Sequence, residues 1–174
     1  MRGTRSEREA KIVMVALKTL VFTIVMPGMV GGVIPWLLAH GGQGASLPPL
    51  LSVWALGVIP VALGVVLYLW CAGAFTFIGK GTPAPVDAPI VLVVQGPYRW
   101  VRNPMYIAVL AVILGQALLF HSWLLVGYAL LFCVVVHTFV IGFEEPSLRA
   151  QFGESYEAYL RRVPRWLPRS LRAA

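Results

Sequence analysis

Charged side chains are scarce in this sequence: Asp, Glu, Lys and Arg make up 12% of its 174 residues, whereas an ordinary soluble domain carries about a quarter. Hydrophobic residues make up 59%, and the mean hydropathy is +0.80. This composition indicates an integral membrane protein. Because a spanning helix needs roughly 20 apolar residues, a single domain of this length has room for about four or five spans and for no separate soluble catalytic domain.

Cysteine is also rare, and both cysteines, Cys71 and Cys133, lie within apolar runs. We therefore expect neither a disulfide framework nor a metal site, and we interpret both cysteines as small buried hydrophobic residues.

Motifs of soluble nucleotide-binding folds are missing as well. No Gly-x-Gly-x-x-Gly opens a helix after a strand, and segment 73–81 lacks the Ser or Thr after its lysine that a phosphate loop needs.

Acidic residues number 7 against 14 Lys and Arg, which gives a net charge of +7. Apart from Lys18, the basic residues are confined to the N-terminal flank, to segment 79–103 and to the C-terminal tail. No stacking-aromatic stripe accompanies them on a soluble surface, so nucleic acid is not an expected partner. By the positive-inside rule all three basic segments are cytoplasmic, which four spans satisfy. We expect a multi-pass protein of a bacterial cell membrane with both termini in the cytoplasm.

The apolar runs predict an all-α, polytopic membrane protein that forms one membrane-embedded domain over residues 1–174. Pro27 and Pro35 predict a kink in the first span, with neighbouring helices satisfying the freed carbonyls, and Pro60 predicts a tilt or a break in the second. A turn at 40–49 joins these two spans, and a proline-rich loop follows the second. Only two residues separate the last two spans, which therefore form a tight hairpin. The predicted spans are 12–39, 50–78, 104–120 and 123–143.

A short helical cytoplasmic segment is expected after the fourth span. Pro146 disfavours helical geometry at Glu145 and is suited to begin a new short helix. Gly153 ends that helix, and "ESYEAYLRR" (154–162) predicts a second, amphipathic one.

The hairpin brings a basic segment and an acidic pair to one membrane depth. "GPYRWVRNPMY" (96–106) leads into the third span and Glu144–Glu145 follow the fourth, so both should lie at the cytoplasmic side. Ionisable groups near a bilayer are costly and tend to face a protein interior or a wet cavity. We therefore expect a polar cavity at the cytoplasmic membrane surface, formed by Tyr98, Arg99, Arg102, Asn103, Tyr106, Glu144 and Glu145.

His137 lies seven positions, about two helical turns, before Glu144 and is expected on the same helix face. Simpler interpretations exist: His137 as a hydrogen-bonded interior histidine, the arginines as anchors for lipid phosphates, and the arginines and glutamates as a structural clamp. Adjacent carboxylates gain nothing from an anionic leaflet, however. A polar pocket of this kind suits a ligand with a carboxylate, a cationic centre and a flat ring, such as S-adenosylmethionine, as well as other zwitterions.

Three segments, "GKGTPAP" (79–85), "GPYRWVRNPMY" (96–106) and "EEPSLRAQFGESYEAYLRRVPRW" (144–166), together resemble the isoprenylcysteine carboxyl methyltransferase and phospholipid methyltransferase group of integral-membrane enzymes. The specific features are an Arg-x-Pro-x-Tyr motif and a later Glu-Glu-Pro on one hairpin. The resemblance covers roughly residues 79–168. It implies S-adenosylmethionine as cofactor, held between the last two spans and the C-terminal segment. It also implies methyl transfer to a lipophilic or amphiphilic acceptor at the cytoplasmic membrane interface.

Carried over by position, the resemblance implies a set of cofactor-binding residues. Many members of the prenylcysteine branch have histidine where this chain has Asn103, so the resemblance leaves the acceptor open. Tyr156 and Tyr159 share a face of the last helix, with packing at the membrane surface favoured over cofactor contact. The predicted catalytic residues are Arg102, Glu145 and His137. The predicted cofactor-binding residues are Gly96, Pro97, Tyr98, Arg102, Asn103, Pro104, Tyr106, His137, Glu144 and Glu145.

Two other functions remain open on the sequence. One is an NADPH-dependent membrane reductase of the steroid-reductase kind, whose C-terminal spans resemble this group. The other is a non-catalytic membrane scaffold in which the arginines and glutamates form only an internal clamp.

Overall fold

The computed structural model describes residues 5–41, 54–79, 82 and 90–168. Within these ranges the chain is helical and contains no strand, which confirms the all-α prediction. The helical segments are, in chain order, α1 (Arg5–Gly28), a π-turn (Met29–Val33), α2 (Ile34–Gly41), α3 (Trp54–Ala74), a π-turn (Phe75–Gly79), a 3₁₀ turn (Gly96–Arg99), α4 (Pro104–Leu119), α5 (Trp123–Phe139), a π-turn (Val140–Glu144), α6 (Glu145–Phe152) and α7 (Glu154–Arg162).

Three continuous helical stretches are long and apolar enough to cross a bilayer: Ile12–Gly41, Leu56–Gly79 and Trp123–Phe152. The helix α4 is equally apolar but has only 16 residues, whereas about 20 are needed for a straight crossing. Many large hydrophobic side chains on these stretches are exposed on the protein surface, as expected for helices that face lipid. The polytopic membrane architecture predicted from composition is confirmed.

The first stretch contains a π-turn whose freed backbone groups are satisfied by other helices. Proline at position 35 has no N–H for the carbonyls four and five residues earlier, which belong to Gly31 and Val30. Gln116 donates its amide to the Gly31 carbonyl, and Tyr128 donates its hydroxyl to the Val30 carbonyl at 2.9 Å. The predicted satisfaction of freed carbonyls by neighbouring helices is confirmed, and these bonds fix the first stretch against α4 and α5.

The helices α3 and α4 pack closely through glycines. A Cβ atom added at Gly64 would lie 2.6 Å from the backbone oxygen of Ala108, and one added at Gly115 would lie 2.7 Å from the backbone oxygen of Gly57. Small residues that let helix backbones approach are typical of packing inside membranes. The helix α3 is unbroken at Pro60, so of the two predicted outcomes, a tilt or a break, the break is wrong.

The two helices of the α4–α5 hairpin begin at the predicted residues, but the helical stretch that begins with α5 continues to Phe152, beyond the predicted end at 143. The hairpin begins at Pro104, turns at residues 120–122 and resumes at Trp123. Ser122 caps α5 by accepting a hydrogen bond from the Leu125 N–H. The tight connection makes the two helices antiparallel, so the start of α4 and the end of α5 lie at the same end of the bundle.

The predicted loss of helical geometry at Glu145 is wrong. Glu145 has φ −62° and ψ −43°, and the helix continues from α5 through a π-turn into α6. The wider i→i+5 winding of a π-turn moves the preceding carbonyls, so the Pro146 ring fits without ending the helix. Gly153, with φ +52°, then ends α6, as predicted, and α7 coincides with the predicted amphipathic helix.

Three further predictions concern the burial of the two cysteines, the turn at 40–49 and the proline-rich loop. Cys71 is buried as predicted, but Cys133 is exposed on the surface of α5, because its position on the helix faces away from the core. Of the predicted turn at 40–49, only residues 40 and 41 are described, and they end α2. The proline-rich loop after the second span lies outside the described residues except for the buried Thr82.

The glycine contacts generate a prediction about stability. Changing Gly115 to Ala places a methyl group against the backbone oxygen of Gly57, which cannot move without shifting α3. We expect a loss of about 1–3 kcal/mol, measured as reduced thermal stability of the purified protein in detergent. Gly127→Ala on α5 is the matched control, because an added Cβ there meets nothing within 4 Å. Equal melting temperatures for the two variants would contradict the packing.

Candidate active site

The 3₁₀ turn before α4 places an aromatic side chain inside the protein. Gly96 has φ +60°, and an added Cβ there would lie 3.2 Å from the Trp70 indole nitrogen, so this turn requires glycine. Tyr98 is buried, its ring is edge-on to Phe75 at a centroid distance of 5.5 Å, and its carbonyl accepts a 2.6 Å hydrogen bond from the Tyr159 hydroxyl. Burial raises the pKa of the Tyr98 phenol well above its ordinary value, so the side chain is neutral.

Glu145 forms a buried ion cluster with two arginines, and its side chain is only 6% exposed. Arg102 donates from Nη1 to Glu145 Oε1 at 2.8 Å. Arg165 donates from Nε to the same oxygen at 2.7 Å and from Nη2 to Oε2 at 3.0 Å. The hydrogen bond to Glu145 raises the pKa of Arg165, which keeps the guanidinium charged. The cluster therefore contains two positive charges and one negative charge, and we call it the arginine clamp.

Backbone contacts attach the C-terminal tail to the same corner. The Arg102 N–H donates to the Pro164 carbonyl at 2.9 Å, and the Asn103 side-chain amide donates to the Arg165 carbonyl at 3.3 Å. Asn103 is itself buried. The segment after α7 is thus fixed against the entrance to α4 by both charged and neutral hydrogen bonds.

Glu144 has a different environment from its neighbour. Tyr106 donates its hydroxyl to Glu144 Oε2 at 2.9 Å, and within the described part of the chain no cation forms a salt bridge with Glu144. The adjacent carboxylates are therefore distinct: Glu145 is paired with the guanidinium groups of Arg102 and Arg165, whereas Glu144 accepts a hydrogen bond from the neutral phenol of Tyr106.

A cavity of about 470 Å³ lies where these groups meet, and we call it the polar cavity. Its wall combines the predicted basic and acidic corners with a ring of aromatic side chains. The volume is within the range of small-molecule sites. Residues that line it include Phe75, Tyr98, Arg102, Asn103, Tyr106, Phe143, Glu144, Ser147, Gln151, Phe152, Tyr156 and Tyr159.

A narrower cavity of about 170 Å³ shares eight of its lining residues with the polar cavity, among them Arg102, Tyr106 and Glu144. Its other walls are mostly apolar and come from the first helical stretch, α3, α4 and α5, with Val30, Tyr68 and Val109 as examples. We call it the inner channel, because it extends the polar cavity toward the apolar interior of the bundle.

The predicted residues Pro97, Pro104 and His137 do not line the polar cavity. His137 lines a separate apolar groove of about 770 Å³, together with Pro97 and Pro104, and its Nδ1 accepts a 3.1 Å hydrogen bond from the Trp166 indole. The π-turn Val140–Glu144 contains one residue more than an α-helical turn. Glu144 is therefore rotated about the helix axis relative to His137. The expectation that a straight α-helix would align these two residues is wrong for this reason.

The two tyrosines of α7 are inside the protein. Tyr156 and Tyr159 are 2% and 8% exposed and both line the polar cavity, so their predicted packing at the membrane surface is wrong. Burial raises the pKa of both phenols. Helix α7 is strongly amphipathic, and its apolar face covers the polar cavity rather than facing lipid.

Arg165 is the residue that sequence reasoning missed. It belongs to the basic tail, which the sequence analysis uses only to predict membrane orientation. No spacing rule connects Arg165 to a glutamate 20 residues earlier. Ser147 and Gln151, which line the cavity from α6, were missed because α6 was expected to begin a separate segment. The polar positions of α6 spaced four apart were the available signal.

The arginine clamp generates a prediction about the tail. Arg165→Gln leaves the buried carboxylate with Arg102 as its one salt-bridge partner among the described residues, and we expect it to lower the opening free energy of residues 154–168 by about 2 kcal/mol. Hydrogen exchange of this segment measures the change.

Arg149→Gln serves as the control, since it breaks the pair between Arg149 and Glu157, whose side chains are 48% and 46% exposed. Exposed pairs contribute at most about 1 kcal/mol. If the two variants changed the exchange of α7 equally, the tail would not depend on the clamp.

Comparison with known families gives one match. The family model described as phospholipid methyltransferase matches residues 53–155, more than half of the chain. The matched region contains Arg102, Tyr106, Glu144 and Glu145 and ends before Arg165. No curated protein matches the sequence.

Proposed function

Because the chain belongs to the phospholipid methyltransferase family of integral-membrane methyltransferases, we propose that it transfers a methyl group from S-adenosylmethionine to a lipophilic or amphiphilic acceptor. The observation that carries the proposal is the polar cavity, in which Arg102 and Glu144 face one space from opposite sides of the α4–α5 hairpin. Family membership indicates the reaction class, and the chemistry of the wall supports the cofactor.

The donor set of the polar cavity fits S-adenosylmethionine. The Nε atom of Arg102 is buried and has no hydrogen-bond partner within the described structure, and a carboxylate would satisfy it. Glu144 offers a carboxylate for an ammonium group, and the rings of Tyr98, Phe143 and Tyr156 offer faces for a cationic sulfur or a flat base. When bound, the cofactor supplies a methyl group attached to a positively charged sulfur. The carbon of that methyl group is the electrophile.

Glu145 serves in this proposal as a positioning residue. Its two oxygens are occupied by Arg102 and Arg165, so it holds the Arg102 guanidinium in place and does not contact the cofactor directly. Asn103 is also a positioning residue, because its side-chain amide donates to the Arg165 carbonyl of the tail. His137 takes no part, because it lines the apolar groove and not the polar cavity.

The inner channel is the route that we propose for the apolar part of the acceptor. Its walls are mostly hydrocarbon, and it joins the polar cavity at Tyr106 and Glu144. Methyl transfer depends chiefly on aligning the two reacting atoms, which can lower the barrier by about 7–11 kcal/mol. An amine acceptor must also lose a proton to a base, and the proposal assigns Glu144 to the ammonium group of the cofactor instead. A thiolate or carboxylate acceptor needs no base.

The proposed orientation places the polar cavity at the cytoplasmic surface. Six described arginines flank the hairpin and belong to the basic segments before and after it: Arg99, Arg102, Arg149, Arg161, Arg162 and Arg165. The positive-inside rule assigns such segments to the cytoplasm. The cofactor would then enter from water and the acceptor from the bilayer.

The proposal predicts that cofactor affinity depends on Glu144. Glu144→Gln removes the charge that would pair with the ammonium group, and we expect S-adenosylmethionine to bind at least about tenfold more weakly in isothermal titration, since charged hydrogen bonds contribute about 1.5–3 kcal/mol. Glu157→Gln is the control, because that carboxylate is 46% exposed and pairs only with Arg149 among the described side chains.

Three outcomes would count against the proposal. One is the absence of heat from the wild-type protein with S-adenosylmethionine, and another is equal affinity in the Glu144 and Glu157 variants. The third is thermal stabilisation by NADPH without stabilisation by S-adenosylmethionine, which would favour a reductase. Transfer of a radioactive methyl group from the cofactor into a membrane lipid extract tests the reaction itself.

A further inference from the structure

The apolar groove beside His137 is separate from the proposed reaction site. It lies between α4 and α5, shares only Tyr106 with the lining of the polar cavity, and has a volume of about 770 Å³. Tyr106 and Phe132 separate it from the inner channel. Its deeper walls are formed by Ile107, Leu110, Phe132, Cys133 and Val136.

The polarity of the groove changes along its length. Its mouth is framed by Trp100 and Trp166, and the Arg99 guanidinium lies 4.6 Å above the Trp100 ring centre. Tryptophan is enriched at the membrane–water interface. Its inner end reaches Leu110, six residues or about 9 Å into α4. The groove therefore runs from headgroup level into the hydrocarbon layer, as an acyl chain does.

A basic pocket adjoins the mouth. It has a volume of about 410 Å³, shares Trp166 and Leu167 with the groove, and contains Arg102 and Arg165. With no cofactor on Arg102, the arginine clamp carries one more positive charge than negative charge, since Glu145 offsets only one of the two guanidinium groups. Glu144 faces the polar cavity instead and is bonded to Tyr106. The basic pocket thus complements a group with a single negative charge.

We propose that the groove and the basic pocket together bind one anionic phospholipid of the surrounding leaflet. Its acyl chain lies in the groove between α4 and α5, and its phosphate lies beside the arginine clamp. A zwitterionic lipid would bring a second cation to a site that already has an excess of positive charge, so it binds more weakly. The bound lipid stabilises the tail through Trp166 and Leu167 and is distinct from the methyl acceptor.

Lipid retention measured by native mass spectrometry tests this proposal. The full-length protein is purified in detergent, without S-adenosylmethionine, and is titrated with phosphatidylglycerol or with phosphatidylcholine of identical chains. We expect one phosphatidylglycerol per protein, bound about fivefold more tightly than phosphatidylcholine, as one basic residue near a membrane surface would give. Inorganic phosphate is the competitor that separates a headgroup site attached to a groove from a free anion site.

Two pairs of variants locate the lipid. Cys133→Trp fills the groove, whereas Val135→Trp adds the same bulk to an exposed position of α5 that does not line it. Leu167→Glu adds a negative charge where the groove meets the basic pocket, whereas Leu167→Gln adds a neutral group of similar size at this 60% exposed position. We expect Cys133→Trp and Leu167→Glu to lower phosphatidylglycerol binding at least about fivefold, with both controls near the wild-type value. Unchanged melting temperatures establish that all four variants fold.

Three results would overturn the proposal: equal binding of the two lipids, equal effects within either pair of variants, or displacement of the lipid by inorganic phosphate alone. The last result would indicate a free anion site. None of these measurements depends on cofactor binding, so the proposed function and the lipid site can fail independently.

Discussion

The salt bridges of Glu145 connect three parts of the chain that are far apart in sequence. Arg102 comes from the segment before α4, Glu145 from the start of α6, and Arg165 from the tail beyond α7. A buried carboxylate without partners would be strongly unfavourable, so these salt bridges stabilise the packing of both arginine-bearing segments against α6. The tail in turn positions α7, whose two tyrosines complete the polar cavity. The cavity therefore exists because one buried charge requires two partners from different segments.

Tyr106 is a second residue on which the arrangement of the cavities depends. It lines the polar cavity, the inner channel and the apolar groove, and its hydroxyl is held by Glu144. This aromatic side chain thus lies between the apolar groove and the two connected cavities that contain Arg102 and Glu144. Under the proposed function, this arrangement would let a water-soluble cofactor and membrane lipids approach the same hairpin through different cavities.

Much of the fold could be predicted from the sequence, because hydropathy and the two-residue connection define the α4–α5 hairpin. Those features also predict that Arg102 and Glu145 meet, as their 2.8 Å contact confirms. The π-turns could not be predicted, since a single extra residue in a turn leaves no clear mark on an apolar pattern. Their consequences were therefore missed: His137 lies away from Glu144, and the helix continues past Pro146. Arg165 was missed because its contact depends on how the tail folds back.

A structure of the protein with S-adenosylhomocysteine, the demethylated cofactor, tests the central claim most directly. The account predicts that the ligand occupies the polar cavity, with its carboxylate on Arg102 and its ammonium group on Glu144, while Glu145 stays paired with Arg102 and Arg165. Ligand density beside His137 in the apolar groove, or a Glu145 released from both arginines in the bound state, would contradict it.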